Sequence, residues 1–268
     1  MTQRTRFENS VVWITGASSG IGRELARQLS ARGARTVLTA RREDALRETR
    51  GLCSGGQSVI VPGDLSDFDG IDALADTAEA AFGRIDMLVL NAGISQRGAA
   101  VETEPAVVYR VNAVNFLAPV RIVRRVVPRM TARGSGHVVA VSSLSTRVPT
   151  PQRSAYTASK AALETYLTVL RRELVDSGVS VTVALPGFVR TEISLNALNA
   201  DGSTHGILDP AQAKGMEPGV CARRIISAIE RGRREILIPS DMRTRLGLFL
   251  HRRAPGLLDR MMAHAEVT

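Results

Sequence analysis

Cysteine is scarce. The 268-residue chain holds only Cys53 and Cys221, far apart and outside any C-x-x-C spacing. That pattern excludes a disulfide framework and a cysteine-based metal site, and predicts two free thiols in a reducing compartment. The histidines, His137, His205, His251 and His264, have no metal-ligand spacing either, so no metal is expected. Aromatic residues make up 4% of the chain and are not interleaved with basic ones as in single-strand nucleic-acid binders. Arg is spread along the whole sequence, so the net charge of +9 argues against nucleic acid and for a smaller anionic partner. No uninterrupted apolar run approaches the roughly 18 residues of a membrane span. The opening MTQRTRFENSVVWITG has only Val11 to Ile14 as an apolar run, short of the about 7–15 of a signal-peptide core. A cytoplasmic protein is the resulting expectation. Lysine is the rarest charged residue: among 35 basic residues only Lys160 and Lys214 are Lys.

What is present is a rhythm. Short β-branched runs at 11–15, 35–40, 58–63, 87–91, 137–143, 180–185 and 235–239 alternate with longer stretches carrying apolar residues at three- and four-residue spacing. The runs are almost wholly apolar, as in parallel strands covered on both faces. Gly33, Gly83 and Gly178 stand where the intervening helices should stop. The pattern predicts an α/β fold, a doubly wound parallel sheet of about seven strands with helices on both faces, in one domain over 1–268. Two segments break the rhythm. Residues 190–216, rich in Gly, Asn, Asp and Ser, follow a strand end and predict a substrate lid; residues 241–268 form a basic C-terminal extension.

Between the first strand and the first helix lies TGASSGIG. Gly16, Gly20 and Gly22 allow a sharp turn and close approach of backbone to a pyrophosphate, which the following helix N-terminus favours through its free N–H groups and dipole. Ser18, Ser19 and Ile21 fall in the same phosphate cradle. The spacing is G-x-x-x-G-x-G. Together with N-A-G at Asn91, Ala92 and Gly93 and the pair Tyr156 and Lys160, it resembles the short-chain dehydrogenase/reductase family from about Val11 to Thr191. The resemblance implies a single-domain Rossmann-type oxidoreductase using NAD or NADP, a small-molecule substrate, and a homodimer or homotetramer. At the end of the second strand, where NAD-binding proteins usually offer a carboxylate to the ribose, stand Arg41 and Arg42; guanidinium groups pair with a 2′-phosphate, so NADP(H) is favoured over NAD(H). By resemblance, Asp64 and Leu65 flank the adenine and Asn91 to Gly93 line its ribose side. Pro186, Gly187, Val189 and Thr191 of the P-G-x-x-x-T stretch lie by the nicotinamide.

Tyr156 and Lys160, four residues apart on a helix, face one way. A fixed ammonium near a phenol lowers its pKa from about 10, toward a group able to pass a proton to a carbonyl oxygen. The family arrangement adds Ser143, thirteen residues before Tyr156, to hold that oxygen, and a helix asparagine to sustain a proton relay; the V-N-A context selects Asn112 over Asn115, and spacing selects Ser143 over Ser142. With every catalytic position filled, the reading opposes a non-catalytic NADP sensor or scaffold. The chain also lacks the D-G-G stretch of family members that reduce carrier-protein thioesters. Its layout resembles the hydroxysteroid-dehydrogenase-like branch, which implies a lipophilic ketone or aldehyde. Leu144, Phe188 and Ile193, with Val148 and Leu195, supply an apolar pocket edge beside Ser143 and Tyr156. The tail from Leu246 to Met262 mixes Leu, Phe and Met with Arg; packing on its own domain or a partner is expected ahead of peripheral membrane contact.

Overall fold

A computed structural model describes residues 7–263. Residues 1–6 of the opening stretch and the last five of the C-terminal extension, including His264, lie outside the described residues. In chain order the elements are β1 (Val11–Thr15), α1 (Gly20–Ser30), β2 (Arg35–Thr39), α2 (Glu43–Gly51), β3 (Ser58–Ile60), α3 (Ile71–Ala80), β4 (Met87–Leu90) and α4 (Pro105–Asn112). A π-helical turn (Ala113–Leu117) joins α4 to α5 (Ala118–Ala132). There follow β5 (Gly136–Val141), a short 3-10 turn (Leu144–Thr146), α6 (Ser154–Glu173), β6 (Val179–Pro186), α7 (Pro210–Ala213), α8 (Pro218–Glu230), β7 (Glu235–Ile238), α9 (Met242–Arg253) and α10 (Pro255–Ala263).

All seven strands run parallel in one sheet of order β3-β2-β1-β4-β5-β6-β7. Side chains alternate across the sheet because a strand has a period of two. Val12, Ile14, Leu38, Met87, Val89 and Val139 pack with Leu25 and Leu29 of α1 and Ile225 and Ile229 of α8. Their neighbours Val11, Trp13, Val37, Leu88, Leu90 and Val138 pack with Ile71 of α3, Ile122 and Val126 of α5, and Leu163 and Leu167 of α6. Both faces are therefore buried, which is why the strands read as continuous apolar runs. Gly33, Gly83 and Gly178 take the left-handed conformation, with φ of +85°, +78° and +73°, at the expected helix ends.

Three details refine the sequence reading. The third strand ends at Ile60, before Pro62, which lacks an N–H, although Val61 and Gly63 still donate to Leu38 and Ala40 carbonyls at 2.9 and 3.1 Å. The tail breaks into two helices at Ala254–Pro255, with the proline opening the second. The helical run Pro105–Ala132 has an 18-residue window of mean hydropathy 1.3, long and apolar enough to cross a membrane by length and composition. A search for uninterrupted apolar runs passes over it because Arg110 and its asparagines lie inside. Its Val111, Ala118, Ile122 and Met130 are buried in the protein core.

The strand order reverses between β1 and β4, since β1 continues to β2 on one side while β4 lies on the other. The C-terminal ends of these strands border the crevice in which open α/β sheets take their ligands.

Candidate active site

A cavity of about 800 Å³ opens at that crevice. The turn after β1 forms its floor. Gly16 sits at φ +67° and Gly20 at φ +54°, a region that disfavours L side chains. A Cβ on Gly16 would lie 2.7 Å from the Ala92 Cα, and one on Gly20 would lie 2.8 Å from the Thr191 Cγ2. The turn is pinned from β4: Asn91 Nδ2 donates to the carbonyls of Thr15 and Gly16 at 3.0 and 3.1 Å, and Thr15 Oγ1 accepts from the N–H groups of Asn91 and Ala92. Ser19, which precedes α1, makes no side-chain cap bond, so the first-turn N–H groups of α1 stay available to an anion. This glycine cradle fits a dinucleotide pyrophosphate.

Ser18, Ser19, Gly20, Ile21, Asp64, Leu65, Ala92, Gly93, Pro186, Gly187, Val189 and Thr191 all line the cavity. Gly22 does not. It is buried, and a Cβ there would meet the Gly16 carbonyl oxygen at 2.2 Å, so this glycine serves close packing of helix on turn. Arg41 and Arg42 stand on the cavity wall, both exposed, with Arg42 3.5 Å from Glu192. Gln212 fixes the stretch after β6: its Nε2 donates to the Val189 carbonyl and, at 3.2 Å, to Thr191 Oγ1.

The reacting end is built from β5, α6 and the π-helical turn. Ser143 leads into the 3-10 turn, its Oγ accepting from the Ser145 N–H at 3.2 Å, and both it and Tyr156 line the cavity. Ser142 spends its Oγ on the Lys160 carbonyl, to which it donates at 3.4 Å. Tyr156 is buried, which pushes its pKa up; the nearby Ser143 hydroxyl and then the charges of Arg153 and Arg97 pull against that rise. Lys160 is also buried, and its pKa is pushed down to about 8 by that burial. Its Nζ donates to the Val141 carbonyl at 3.0 Å. Arg153 and Arg97 thus bring positive charge to the phenol that the sequence reading did not include.

The asparagine is a correction. Asn112, expected in the relay, ends α4 and spends its Nδ2 on the Val108 carbonyl of its own helix at 2.9 Å; it does not border the cavity. Asn115, inside the π-helical turn, is fully buried. Its Oδ1 accepts from the Ile94 N–H, and its Nδ2 donates to the Ile94 carbonyl and to Ser159 Oγ, each at 2.9 Å. A Cβ on Gly93 would lie 3.1 Å from Lys160 Nζ and 3.2 Å from Asn115 Oδ1, so the two side chains border the same glycine. The widened π turn changes which residue faces inward, and a sequence pattern at 3.6 residues per turn does not register it.

Of the expected apolar edge, Leu144, Val148, Phe188 and Ile193 line the cavity, and Leu195 does not. The tail contributes as well: Asp241, Thr244 and Met262 reach the cavity wall. Sequence reading also missed a buried charge cluster. Arg97 bonds Asp209 Oδ2 through Nε and Nη2 at 3.1 and 2.5 Å, and Arg153 bonds the same oxygen through Nη2 at 2.9 Å. The one available signal was Arg153, three residues before Tyr156 at the N-terminal boundary of α6.

The profile of the short chain dehydrogenase family matches residues 10–201. The chain is 39% identical to dehydrogenase/reductase SDR family member 7B of Bos taurus, over 98% of this chain and 83% of the relative. Among solved structures, a metagenomic short-chain oxidoreductase in complex with NADP superposes with a TM-score of 0.73 at 32% identity, covering 88% of this chain and 99% of that one. A short-chain dehydrogenase/reductase of Burkholderia phymatum in complex with NAD gives a TM-score of 0.82 at 26% identity, over 94% and 96%. The chain belongs to the short-chain dehydrogenase/reductase family. It is an NAD(P)-dependent oxidoreductase of that family.

Proposed function

We propose that the protein catalyses reversible, NADP(H)-dependent hydride transfer to the carbonyl carbon of a lipophilic ketone or aldehyde. The observation that carries this reading is that Ser143, Tyr156 and Lys160 border the same cavity as the glycine turn. The bound nicotinamide supplies or accepts the hydride. Ser143 holds the carbonyl oxygen as charge develops on it, and Tyr156 delivers its phenolic proton to that oxygen. Lys160, held on the Val141 carbonyl beside Gly93, is placed to bind the nicotinamide ribose, and Asn115 takes the relay position first assigned to Asn112. Segment 190–216 acts as the lid, with Ile193 on the cavity wall and Asp209 tied down by two arginines. A homodimer or homotetramer, read from the family resemblance, is part of the same proposal.

The preference for NADP(H) rests on Arg41 and Arg42, which bring two guanidinium groups to the wall beyond β2 where the adenine ribose would lie. The test follows NADPH and NADH oxidation against a panel of ketones and aldehydes. The double substitution Arg41→Ala, Arg42→Ala is expected to raise the KM for NADPH by about 10–100-fold, the loss of a charge-assisted phosphate contact, and to leave that for NADH within about twofold. Equal losses for both cofactors contradict the assignment.

A further inference from the structure

The cluster beside Tyr156 is out of charge balance. Two guanidinium groups, Arg97 and Arg153, share the single carboxylate of Asp209, and all three residues are buried. His205 Nε2 stands 3.6 Å from the other Asp209 oxygen and can add only positive charge. Unpaired buried charge is costly, so such an excess asks for a counter-anion.

The two arginines differ in how they are satisfied. Arg97 spends Nε and Nη2 on Asp209 and Nη1 on Ser95 Oγ and the Gln96 carbonyl, at 2.7 and 2.8 Å. Arg153 spends only Nη2. Its Nε is buried without a hydrogen-bond partner among the described residues. Arg153 also lines the cavity, its guanidinium 5.5 Å from the centre of the Phe188 ring, itself a wall of the site. The side chain keeps only 9% of its exposure, and burial followed by the charge of Arg97 pushes its pKa down to about 10. A fork-shaped cation with spare donors, anchored at one corner by Asp209 and backed by Phe188, is matched to two oxygens of an incoming anion.

We propose that the carbonyl substrate carries an anionic oxygen group, a carboxylate or a phosphate, and that Arg153 binds it next to the reacting carbonyl. This rests on the hydride-transfer reading above and narrows it, from lipophilic ketones in general to oxo-acids with an apolar body. Leu144, Val148 and Ile193 take the apolar part and Arg153 the acidic end. Asp209, from segment 190–216, aims the guanidinium and so acts as a positioning residue.

The test compares matched ligands. Binding of 4-phenylbutanoate and of 4-phenylbutanamide to the NADP⁺-loaded protein is measured by titration calorimetry. Turnover of 2-oxo-4-phenylbutanoate and of its ethyl ester is measured with NADPH. The wild type is expected to favour the acid by about tenfold or more in both Kd and kcat/KM, Arg153→Gln to bring both ratios near one, and Arg153→Lys to keep part of the preference. Inorganic phosphate that displaces 4-phenylbutanoate from the loaded protein assigns the subsite to phosphate as well as carboxylate; phosphate that does not assigns it to carboxylate. A wild-type ratio near one overturns the proposal, as does a ratio that survives in Arg153→Gln. So does an equal loss on acid and neutral ligands, which is what a purely structural tether of the lid, or a purely electrostatic action on Tyr156, would give. Should Arg153→Gln fail to fold, the ratios in wild type and Arg153→Lys decide. The calorimetric arm needs no turnover, so a carboxylate that binds without NADPH oxidation counts against the hydride-transfer reading and not against this one.

Discussion

Lys160 and Lys214, the only lysines in a chain of many arginines, both border the cavity. Lys160 is buried and linked to the Val141 carbonyl, a position for a slim stem with a compact ammonium and not for a planar guanidinium. The rarity of lysine therefore pointed to the site, but the two arginines near the phenol did not show in the sequence. Arg153 and Arg97 meet on the carboxylate of Asp209, and spacing along a chain carries no trace of that meeting. Another buried residue makes a prediction at this scale. His137 Nε2 bonds Thr182 Oγ1 at 2.9 Å, and burial pushes its pKa from 6.5 down to about 4. Between those values the unfolded chain binds a proton that the native protein refuses, so stability is lost as pH falls through that window, at up to about 1.4 kcal/mol per pH unit. Urea denaturation of the wild type should show this loss on acidification and His137→Gln a shallower one; equal pH dependence in both would contradict the assignment.

At the scale of elements, the join between α4 and α5 decides most. A helix read at 3.6 residues per turn made Asn112 and Asn115 rivals, and sequence context chose the first. The π turn over Ala113–Leu117 turns the second inward, where its amide bridges the Ile94 backbone and Ser159. Asn115→Ala leaves the N–H and carbonyl of Ile94 without their partner and should cost about 1–3 kcal/mol of stability together with a loss of turnover of at least about tenfold. Asn112→Ala removes one bond within its own helix and should stay within about 0.5 kcal/mol and near wild-type turnover. Denaturant titrations with initial rates on both variants check this, and a reversed order would sink it. Elsewhere the elements were plain in the sequence where a physical rule is local. Gly33, Gly83 and Gly178 end helices because only glycine takes a positive φ cheaply, and Pro255 opens a new helix because its missing N–H is not needed there. The packing of the tail was not legible, because Asp241, Thr244 and Met262 reach the cavity through tertiary contacts alone.

At the scale of the whole molecule, a sheet covered on both faces leaves its ligand-binding capacity at one edge, the C-terminal ends of β1 and β4. The net charge of +9 finds a partial account there. Arg41, Arg42, Arg110, Arg153, Lys160, Lys214 and Arg243 border the cavity, against Asp64, Glu192 and Asp241. Such a wall draws in a dinucleotide phosphate and, if Arg153 does what its free donors suit it for, an acidic substrate. The central claim is that this edge performs proton-coupled hydride transfer through one phenol. The most direct measurement is a comparison of wild type and Tyr156→Phe, by calorimetric binding of NADPH and by NADPH oxidation with a reducible carbonyl. The account predicts NADPH affinity within about threefold of wild type and turnover lowered by at least about 100-fold; turnover that persists in Tyr156→Phe would contradict it.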